Sequence, residues 1–582
     1  MNFFEQTDKL IIESLSKMGI DDNSMTSEIP PSIELGDICY PLFKYSKALK
    51  KAPAQIASDA ISHMALPDFI EKAEPKGAYL NIFFKRSTVT ESVLETILKE
   101  KKDYCRRIKN GIKVLIEFSC PNTNKPLHLG HCRNNFLGDA VANLFLFAGF
   151  DVKKVNLIND RGIHICKSML AYMKYGNGDT PESTGIKSDH FVGKQYVKYN
   201  TELKTHPELE KEAQDLLKLW EDGEKNTVEL WKQMNKWAID GIKETYNKMG
   251  ISFDMIEYES ENYLLGKDIV FEGLKNGVFY KADDGSIWID NEDAGLDKKI
   301  LLRSDGTSIY ITQDLGTAVK RHEKFNFDKM IFVVGQEQEY HFKTLFTILK
   351  KLGFDYAENM KHLSYGMVTL PDGKMKSREG TVVDADNLMT ELEEMSRSII
   401  KEKGRFENDD ELNSVALKVS LGALKYYLLN FTTTKDILFS PEQSISFDGN
   451  TGPYIQYTTA RINSLIGKAQ TKELKELDAN KGVDNDKLDI YSDINDDEWS
   501  VILHLLRFDN AIKKSIDTVS PLELCGFVYD LCRLYSKFYQ DNQIISNSDE
   551  KIKELRLQIS KSTLITIQIV LDILGITPLE KM

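Results

Sequence analysis

The sequence predicts an α/β protein in which a parallel sheet lies between a small α+β N-terminal module and an all-α C-terminal region. Buried-strand patterns at 114–118, 152–158 and 330–335 alternate with helical patterns, which is typical of a parallel sheet. After about residue 386 the apolar spacing becomes almost wholly helical. At about 150 residues per domain, a chain of 582 residues suggests three or four domains.

The composition is that of a folded soluble protein. Apolar residues make up 41% and charged residues 28% of the chain, and 35 Gly with 15 Pro are too few for a collagen-like or low-complexity protein. The net charge of −14 excludes a global positive field that would hold nucleic acid non-specifically. Any RNA partner therefore has to be held by a local basic surface and by its shape.

The cysteines and the N-terminus indicate a cytoplasmic protein. The seven cysteines are scattered and form no C-x-x-C pair, which argues against a disulfide framework or a zinc knuckle. The first residues are acidic where a signal peptide needs positive charge, and no apolar run approaches about 18 residues. We therefore expect neither export nor a membrane partner.

Residues 1–110 are predicted to form one mixed module. A helical opening is followed by a turn at Pro30 and Pro31, a helix after Pro53 and a strand-like run at 78–84. The segment 99–109 then carries six basic and two acidic residues. This charge run favours a solvated linker, with an RNA-facing segment as the alternative.

Residues 111–385 are predicted to hold the sheet, with a charged helical insertion at about 180–250. In the β-α-β unit at 114–158, the loop after the first strand enters a helix N-terminus. That position favours nucleotide phosphates, because free N–H groups and the helix dipole point at it. A helical connection at 386–440 leads into a helical domain at 441–582. The amphipathic runs lie at 414–430, 454–469, 499–516, 521–539 and 552–574.

Two short motifs point to phosphate chemistry. The first is His128-Leu129-Gly130-His131, whose two imidazoles share one helical turn and could donate hydrogen bonds to phosphate oxygens. Gly130 would let a ligand approach the backbone. A zinc pair or two surface histidines remain as alternatives.

The second motif lies between Gly373 and Gly380 and contains three cations, Lys374, Lys376 and Arg378. Such a loop suits the neutralisation of a departing pyrophosphate. Taken alone, it is also typical of a solvated turn.

Together the two motifs resemble the H-I-G-H and K-M-S-K-S signatures of class I aminoacyl-tRNA synthetases. The segments "PNTNKPLHLGH", "GTSIYITQDLGTA", "FDGNTGPYIQYTTARI" and "LGITPLEKM" resemble the arginyl-tRNA synthetase family over nearly the whole chain. One departure is Ser377, which occupies the second lysine position of the family, so that Lys376 or Arg378 would have to supply that charge.

The resemblance implies a Rossmann-type catalytic domain at 111–385, a tRNA-contacting domain at 1–110 and an α-helical anticodon-binding domain at 441–582. It also implies roles for individual residues. The catalytic set is Lys125, His128, His131, Lys374, Lys376 and Arg378. The ATP-binding set is His128, Leu129, Gly130, His131, Lys374, Met375 and Ser377. The arginine-binding set is Ser119, Asn122, Glu259, Tyr310, Asp314 and Gln338. The tRNA-binding set is Tyr454, Tyr457 and Arg461.

Plainer interpretations stand beside these roles. Asp314 is also explained as a first-turn carboxylate favoured by the helix dipole. Glu259 and Gln338 are also explained as solvated surface groups. The aromatic residues of the C-terminal helices, among them Phe538 and Tyr539, are also explained as core.

The resemblance further implies an arginine–tRNA ligase that uses ATP with Mg²⁺ and needs no protein-bound structural metal. Its partners would be L-arginine, ATP and tRNA(Arg), without DNA or a membrane, and we expect a monomer. Two alternatives remain. A synthetase for glutamate would need a basic residue and one for cysteine typically uses zinc, whereas this chain offers Asp314 and Glu259. A catalytically silent paralogue would bind RNA only.

Overall fold

The computed structural model describes residues 3–371, 383–403, 406, 408–477 and 490–581. In sequence, a parallel α/β unit follows a small N-terminal α+β unit and precedes a C-terminal array of helices, which confirms the predicted fold class. Among the described residues, no helix combines the length and the apolarity that crossing a bilayer requires.

The N-terminal unit packs helices on a three-stranded antiparallel sheet of order β1-β3-β2. Its elements are α1 (Phe3–Lys17), β1 (Ile38–Pro41), α2 (Ser46–Leu49), α3 (Pro53–Ser62), β2 (Ile70–Lys76), β3 (Tyr79–Phe84) and α4 (Arg86–Glu100). Helix α1 buries Phe3, Phe4, Ile11 and Leu15, because these residues repeat at helical spacing on one face.

A buried carboxylate is one of the contacts that join the N-terminal unit to the C-terminal helices. Asp37 accepts the N–H of Phe84 at 2.7 Å and the indole N–H of Trp499 at 2.6 Å. The segment 99–109 is exposed at most of its residues, as a solvated linker would be, but two of its residues anchor it to the C-terminal helices. Tyr104 is buried and stacks on Phe508, while Arg107 pairs with a carboxylate of the C-terminal helices.

The central sheet is five-stranded and wholly parallel, with the order β11-β10-β4-β5-β6. Strand β4 (Lys113–Glu117) has an apolar centre and pairs with β5 (Asp151–Ile158) on one side and β10 (Lys329–Gly335) on the other. The chain therefore leaves β4 in one direction and returns on the opposite side. In open parallel sheets, ligands bind at the carboxyl ends of strands where the order reverses in this way.

Five helices separate β5 from β6, and a small antiparallel sheet of order β7-β8-β9 follows β6. These and the remaining elements of the unit are α5 (Leu129–Phe147), α6 (Ile163–Tyr175), α7 (Pro181–Thr184), α8 (Ser188–Glu202), α9 (Leu209–Glu221), α10 (Lys225–Met249), β6 (Met255–Tyr258), α11 (Glu259–Asn262), α12 (Lys267–Lys275), β7 (Tyr280–Lys281), β8 (Ile287–Ile289), β9 (Lys299–Leu302), α13 (Tyr310–Phe325), α14 (Glu339–Lys351), β11 (Met360–Tyr365) and β12 (Val368–Thr369).

The C-terminal part is helical apart from β13, which pairs with β12. Its elements are α15 (Ala385–Lys403), α16 (Asp409–Leu429), β13 (Ile437–Leu438), α17 (Pro441–Ser444), α18 (Gly452–Leu477), α19 (Asp496–Leu506), α20 (Phe508–Thr518), α21 (Leu522–Asp541) and α22 (Glu550–Ile573). The run at 499–516 is two helices rather than one, because the chain turns at Arg507, whose guanidinium reaches the carbonyl of Asp37 at 3.4 Å.

Candidate active site

The first motif begins helix α5 at the carboxyl end of the central strand. His128 is the N-cap, and its Nδ1 accepts the N–H of Gly130 at 3.1 Å. His131 Nδ1 accepts the N–H of His128, also at 3.1 Å. The two imidazoles therefore satisfy two N–H groups that the helix start would leave unpaired.

These contacts fix the tautomer of both rings. An Nδ1 that accepts an N–H carries no proton, so a neutral ring carries its proton on Nε2. Burial, with the Lys125 cation nearby, lowers the pKa of His128 to about 4. Burial also holds the pKa of His131 well below its ordinary value. Both rings are therefore neutral Nε2–H donors at pH 7, which does not fit the zinc-pair alternative.

Gly130 also has a structural role at the start of α5. A Cβ at this position would lie 2.9 Å from Cε1 and 3.0 Å from Nδ1 of His128. Glycine is thus required so that the capping imidazole can lie against the backbone. Leu129, by contrast, is fully buried and contributes to the core.

A cavity of about 380 Å³ opens beside the first motif. Lys125 and His128 line it from the motif loop, Lys194 and Tyr196 from α8, and Asp384 from the start of α15. Burial lowers the pKa of Lys125. A cation and an imidazole donor thus face the same cavity, an arrangement suited to phosphate oxygens.

The motif loop is also joined to the chain that follows the second motif. The N–H of Leu129 donates to the carbonyl of Val383 at 3.1 Å, and that of Ala385 donates to Leu127 at 3.0 Å. The predicted residues Lys374, Met375, Lys376, Ser377 and Arg378 lie outside the described residues.

An ion-pair network fixes the start of α15 against the helical insertion. Lys187 Nζ lies 2.7 Å from Asp386 and 3.1 Å from Asp189. His190 Nε2 lies 3.2 Å from Asp386 and 3.3 Å from Asp384. Asp189, His190 and Asp386 have the spacing of a metal site, but Lys187 already supplies the positive charge that these carboxylates require.

A second cavity, of about 200 Å³, is lined by two carboxylates, and the side chain of Arg321 also lines it. Glu117 closes it at the end of β4, Asp314 on α13, and Gln338 and His341 at the start of α14. The rest of the lining is mostly apolar and includes Leu157, Phe332, Val334, Phe342 and Leu345. An apolar slot with carboxylates suits a side chain that has an alkyl stem and a cationic head.

Glu117 belongs to a buried ion network. Arg321 Nη1 lies 2.5 Å from Glu117 and Nη2 lies 2.8 Å from Glu257. Burial raises the pKa of Glu117, although the Arg321 cation opposes this shift. Glu117 and His341 were not among the residues predicted from the sequence. The available signals were a carboxylate ending an apolar strand and a histidine three residues after Gln338.

The structure brings only part of the predicted arginine set into this cavity. Asp314 and Gln338 line it, whereas Tyr310 is 76% exposed at the first position of α13, one turn before Asp314. Glu259 is the first residue of α11, directly after β6, and burial raises its pKa to about 7 despite the Arg161 cation.

Ser119 and Asn122 lie on the loop after β4. Ser119 is buried and its Oγ lies 2.6 Å from the hydroxyl of Tyr246, while its N–H donates to Asn134 at 2.5 Å. Ser119 and Cys120 have φ values of 77° and 47°. Such a backbone persists only where neighbours hold it, as Asn134 and Tyr246 do here.

The predicted tRNA residues lie on α18. The Arg461 guanidinium lies over the ring of Tyr457 at 4.9 Å and near that of Tyr539 at 5.7 Å. These three residues line an open groove of about 1050 Å³. Tyr454 instead bonds Ser536 of α21 at 3.1 Å. Phe538 is fully buried, so it belongs to the core.

Comparisons with known proteins cover all three units. The family described as "tRNA synthetases class I (R), catalytic domain" matches residues 93–440, "DALR anticodon binding domain" matches 455–582, and "Arginyl tRNA synthetase N terminal domain" matches 5–84. An arginine–tRNA ligase of Treponema denticola is 48% identical over 95% of this chain and 94% of that protein. One of Borrelia duttonii is 44% identical over 97% and 96%.

The solved arginyl-tRNA synthetase of Thermus thermophilus has the same fold, with a TM-score of 0.84, 25% identity and 100% of both chains covered. The chain belongs to the class I arginyl-tRNA synthetase family.

Proposed function

We propose that arginine is activated where the two cavities meet the carboxyl edge of the sheet. The reaction of this ligase family uses ATP to convert L-arginine to arginyl-adenylate, and then transfers the arginyl group to the 3′-terminal adenosine of tRNA(Arg). AMP and pyrophosphate are released. The observation that carries the proposal is the acidic slot, which is the cavity lined by Asp314 of α13 and by Glu117. Glu117 ends the strand that leads into the first motif.

The acidic slot would hold the arginine side chain. The guanidinium would contact Asp314 and Glu117 by charge-assisted hydrogen bonds, and its alkyl stem would lie on Phe332 and Leu345. Gln338, at the start of α14, would add a polar contact. From the family resemblance we also assign Ser119, Asn122, Glu259 and Tyr310 to the amino acid.

The first motif would bind the triphosphate. His128 and His131 would donate from Nε2, Lys125 would add a positive charge, and the turn at Leu129 and Gly130 would support the nucleotide. Catalysis would rest on positioning and electrostatic stabilisation of the α-phosphorus as the arginine carboxylate attacks it in line. No covalent enzyme intermediate is needed.

We assign Lys374, Met375, Lys376, Ser377 and Arg378 to pyrophosphate stabilisation on the resemblance alone. Mg²⁺ would enter with ATP. The groups that line the cavity beside His128 include one carboxylate, Asp384. We therefore expect the metal to be held chiefly by phosphate oxygens and water, with its charge neutralising the triphosphate.

The groove on α18 would receive the anticodon bases. Unstacked bases bind by stacking on aromatic rings and guanidinium planes, which Tyr457 and Arg461 offer together. Tyr454 is assigned to the same surface. The N-terminal domain would contact another part of the tRNA.

We propose a cytoplasmic monomer. All seven cysteines are free, and five of them are buried, as expected where thiols stay reduced. The three units already pack on one another within one chain, so no second copy is needed to complete either cavity.

Pyrophosphate exchange with each of the twenty amino acids, with and without tRNA, tests the proposal. We expect exchange with arginine alone and a dependence on tRNA. Exchange with another amino acid would reject the assigned specificity. An absence of exchange under every condition would favour the silent paralogue.

A further inference from the structure

The carboxylate of Asp314 is held by one imidazole. His341 Nε2 lies 2.6 Å from Oδ2 of Asp314, and both side chains line the acidic cavity. Within the described part of the chain, His341 is the one side chain that bonds this carboxylate. Asp314 belongs to α13 and His341 to α14, so the contact joins two helices across the cavity wall.

His341 is the more firmly held of the two. Its ring stands edge-on to Phe342, with 5.7 Å between centroids. Phe342 packs on Phe332 of β10 at 4.9 Å and stacks on His362 of β11 at 4.6 Å. The Asp314 side chain, by contrast, is 40% exposed. Without His341, this carboxylate would be free to rotate toward water.

The contact with His341 orients the carboxylate of Asp314 and leaves most of its hydrogen-bonding capacity for a ligand. A carboxylate has about four lone-pair sites on its two oxygens, and His341 takes one of them. Glu117 supplies the second acidic wall, whose direction Arg321 fixes. A planar guanidinium can bond two acidic groups at once only if both are correctly directed, whereas an ammonium group is a compact point charge.

We propose that His341 is a positioning residue for amino-acid recognition. It holds Asp314 in the direction that a guanidinium requires, and it thereby sets the preference of the pocket for arginine over lysine. The inference rests on the proposed function, because it takes this cavity as the arginine site. His341 acts through Asp314 and not on the reacting atoms, so its loss weakens arginine binding more than it slows adenylate formation.

Two substitutions of His341 separate the effect of its N–H donor from the effect of the volume of its ring. His341→Leu removes the N–H at similar volume, and His341→Gln places an amide N–H near the position of Nε2. We expect H341L to raise KM for arginine about 10-fold or more, because a hydrogen bond to a charged group is lost. Its kcat should stay within about two-fold, and H341Q should recover most of the KM.

The ratio of kcat/KM for arginine over lysine should fall in H341L and recover in H341Q. His206→Ala is the matched control, because His206 also contacts a carboxylate, that of Glu208 at 3.1 Å, but on the exposed surface. H206A should leave kcat and KM for both amino acids unchanged. Circular dichroism of each variant checks that the fold is kept.

Asp314→Asn distinguishes failure of this inference from failure of the proposed site. If D314N leaves KM for arginine unchanged, the cavity is not the arginine site. If D314N raises KM while H341L behaves as wild type, His341 has no positioning role. The role is also overturned if H341Q fails to recover the KM, or if H341L lowers kcat alone.

Discussion

His131 Nδ1 accepts the backbone N–H of His128 at 3.1 Å, so the second histidine of the motif holds the first in place. His128 in turn accepts from Gly130. The pair closes the start of α5 in the manner of a capping box, with imidazoles in place of the usual hydroxyl and carboxylate. One hydrogen-bond pattern thus begins the helix and directs two Nε2–H donors away from the backbone.

Gly130→Ala should disrupt this arrangement. The added Cβ would lie 2.9 Å from the His128 ring, so the imidazole would have to leave its capping position. We expect kcat for pyrophosphate exchange to fall by about 10²-fold, the usual effect of losing one donor to the transition state. Gly526→Ala, in α21 with no atom within 4 Å of its Cβ, should be neutral or stabilising by up to about 1 kcal/mol. Equal activity of G130A and wild type would contradict the donor role.

Glu259 should make arginine binding depend on pH near neutrality. Burial raises the pKa of this carboxyl to about 7. It is therefore neutral below that pH, and it becomes an anion that attracts the arginine cation as the pH rises. We expect KM for arginine to fall between pH 6 and pH 8. Glu259→Gln should flatten this part of the profile, and a profile that keeps its slope in the variant would remove Glu259 from the site.

Arg321→Met should be strongly destabilising. It would leave Glu117 and Glu257 buried without their cation, and breaking a buried ion pair costs about 3–5 kcal/mol. Urea unfolding gives the free energy of unfolding. The control Arg397→Met breaks an exposed pair with Asp409 and should cost less than about 1 kcal/mol. A second substitution, Glu257→Leu, should recover part of the loss. Similar costs for R321M and R397M would contradict this account of the network.

Arg461→Ala should weaken tRNA binding without changing arginine recognition. Stacking of a base is worth about 1–3 kcal/mol, so KM for tRNA should rise about 10-fold or more while KM for arginine stays constant. Aminoacylation at varied tRNA concentration measures both constants. Arg533→Ala removes a guanidinium whose contact is with Asp530 of its own helix, and it should have no effect. A rise in KM for arginine alone would place Arg461 in another role.

The fold class was predictable because it depends on local apolar patterns. The strand at 330–335 is a continuous apolar run, that at 114–118 is apolar except for Glu117, and the C-terminal helices repeat their apolar residues at helical spacing. The break at Arg507 could not be predicted, since the amphipathic pattern continues across it and the buried partner, Asp37, lies 470 residues away in sequence.

The candidate site was predictable only where its residues share a motif. Asp314 and Gln338 follow from the family resemblance and do line the cavity. Glu117 lies within a strand pattern, and the local sequence does not indicate that its carboxylate pairs with the buried Arg321. The bond between His341 and Asp314 spans 27 residues and two helices, so no local spacing indicates it.

One carboxylate, that of Asp37, accepts from Phe84 in the N-terminal unit and from Trp499 in the helical unit. A buried carboxylate that loses a donor costs several kcal/mol, so neither unit can slide on the other without a penalty on that scale. Two modules far apart in sequence are therefore held at a fixed separation. An RNA that contacts both modules would have to match that separation or bend to it.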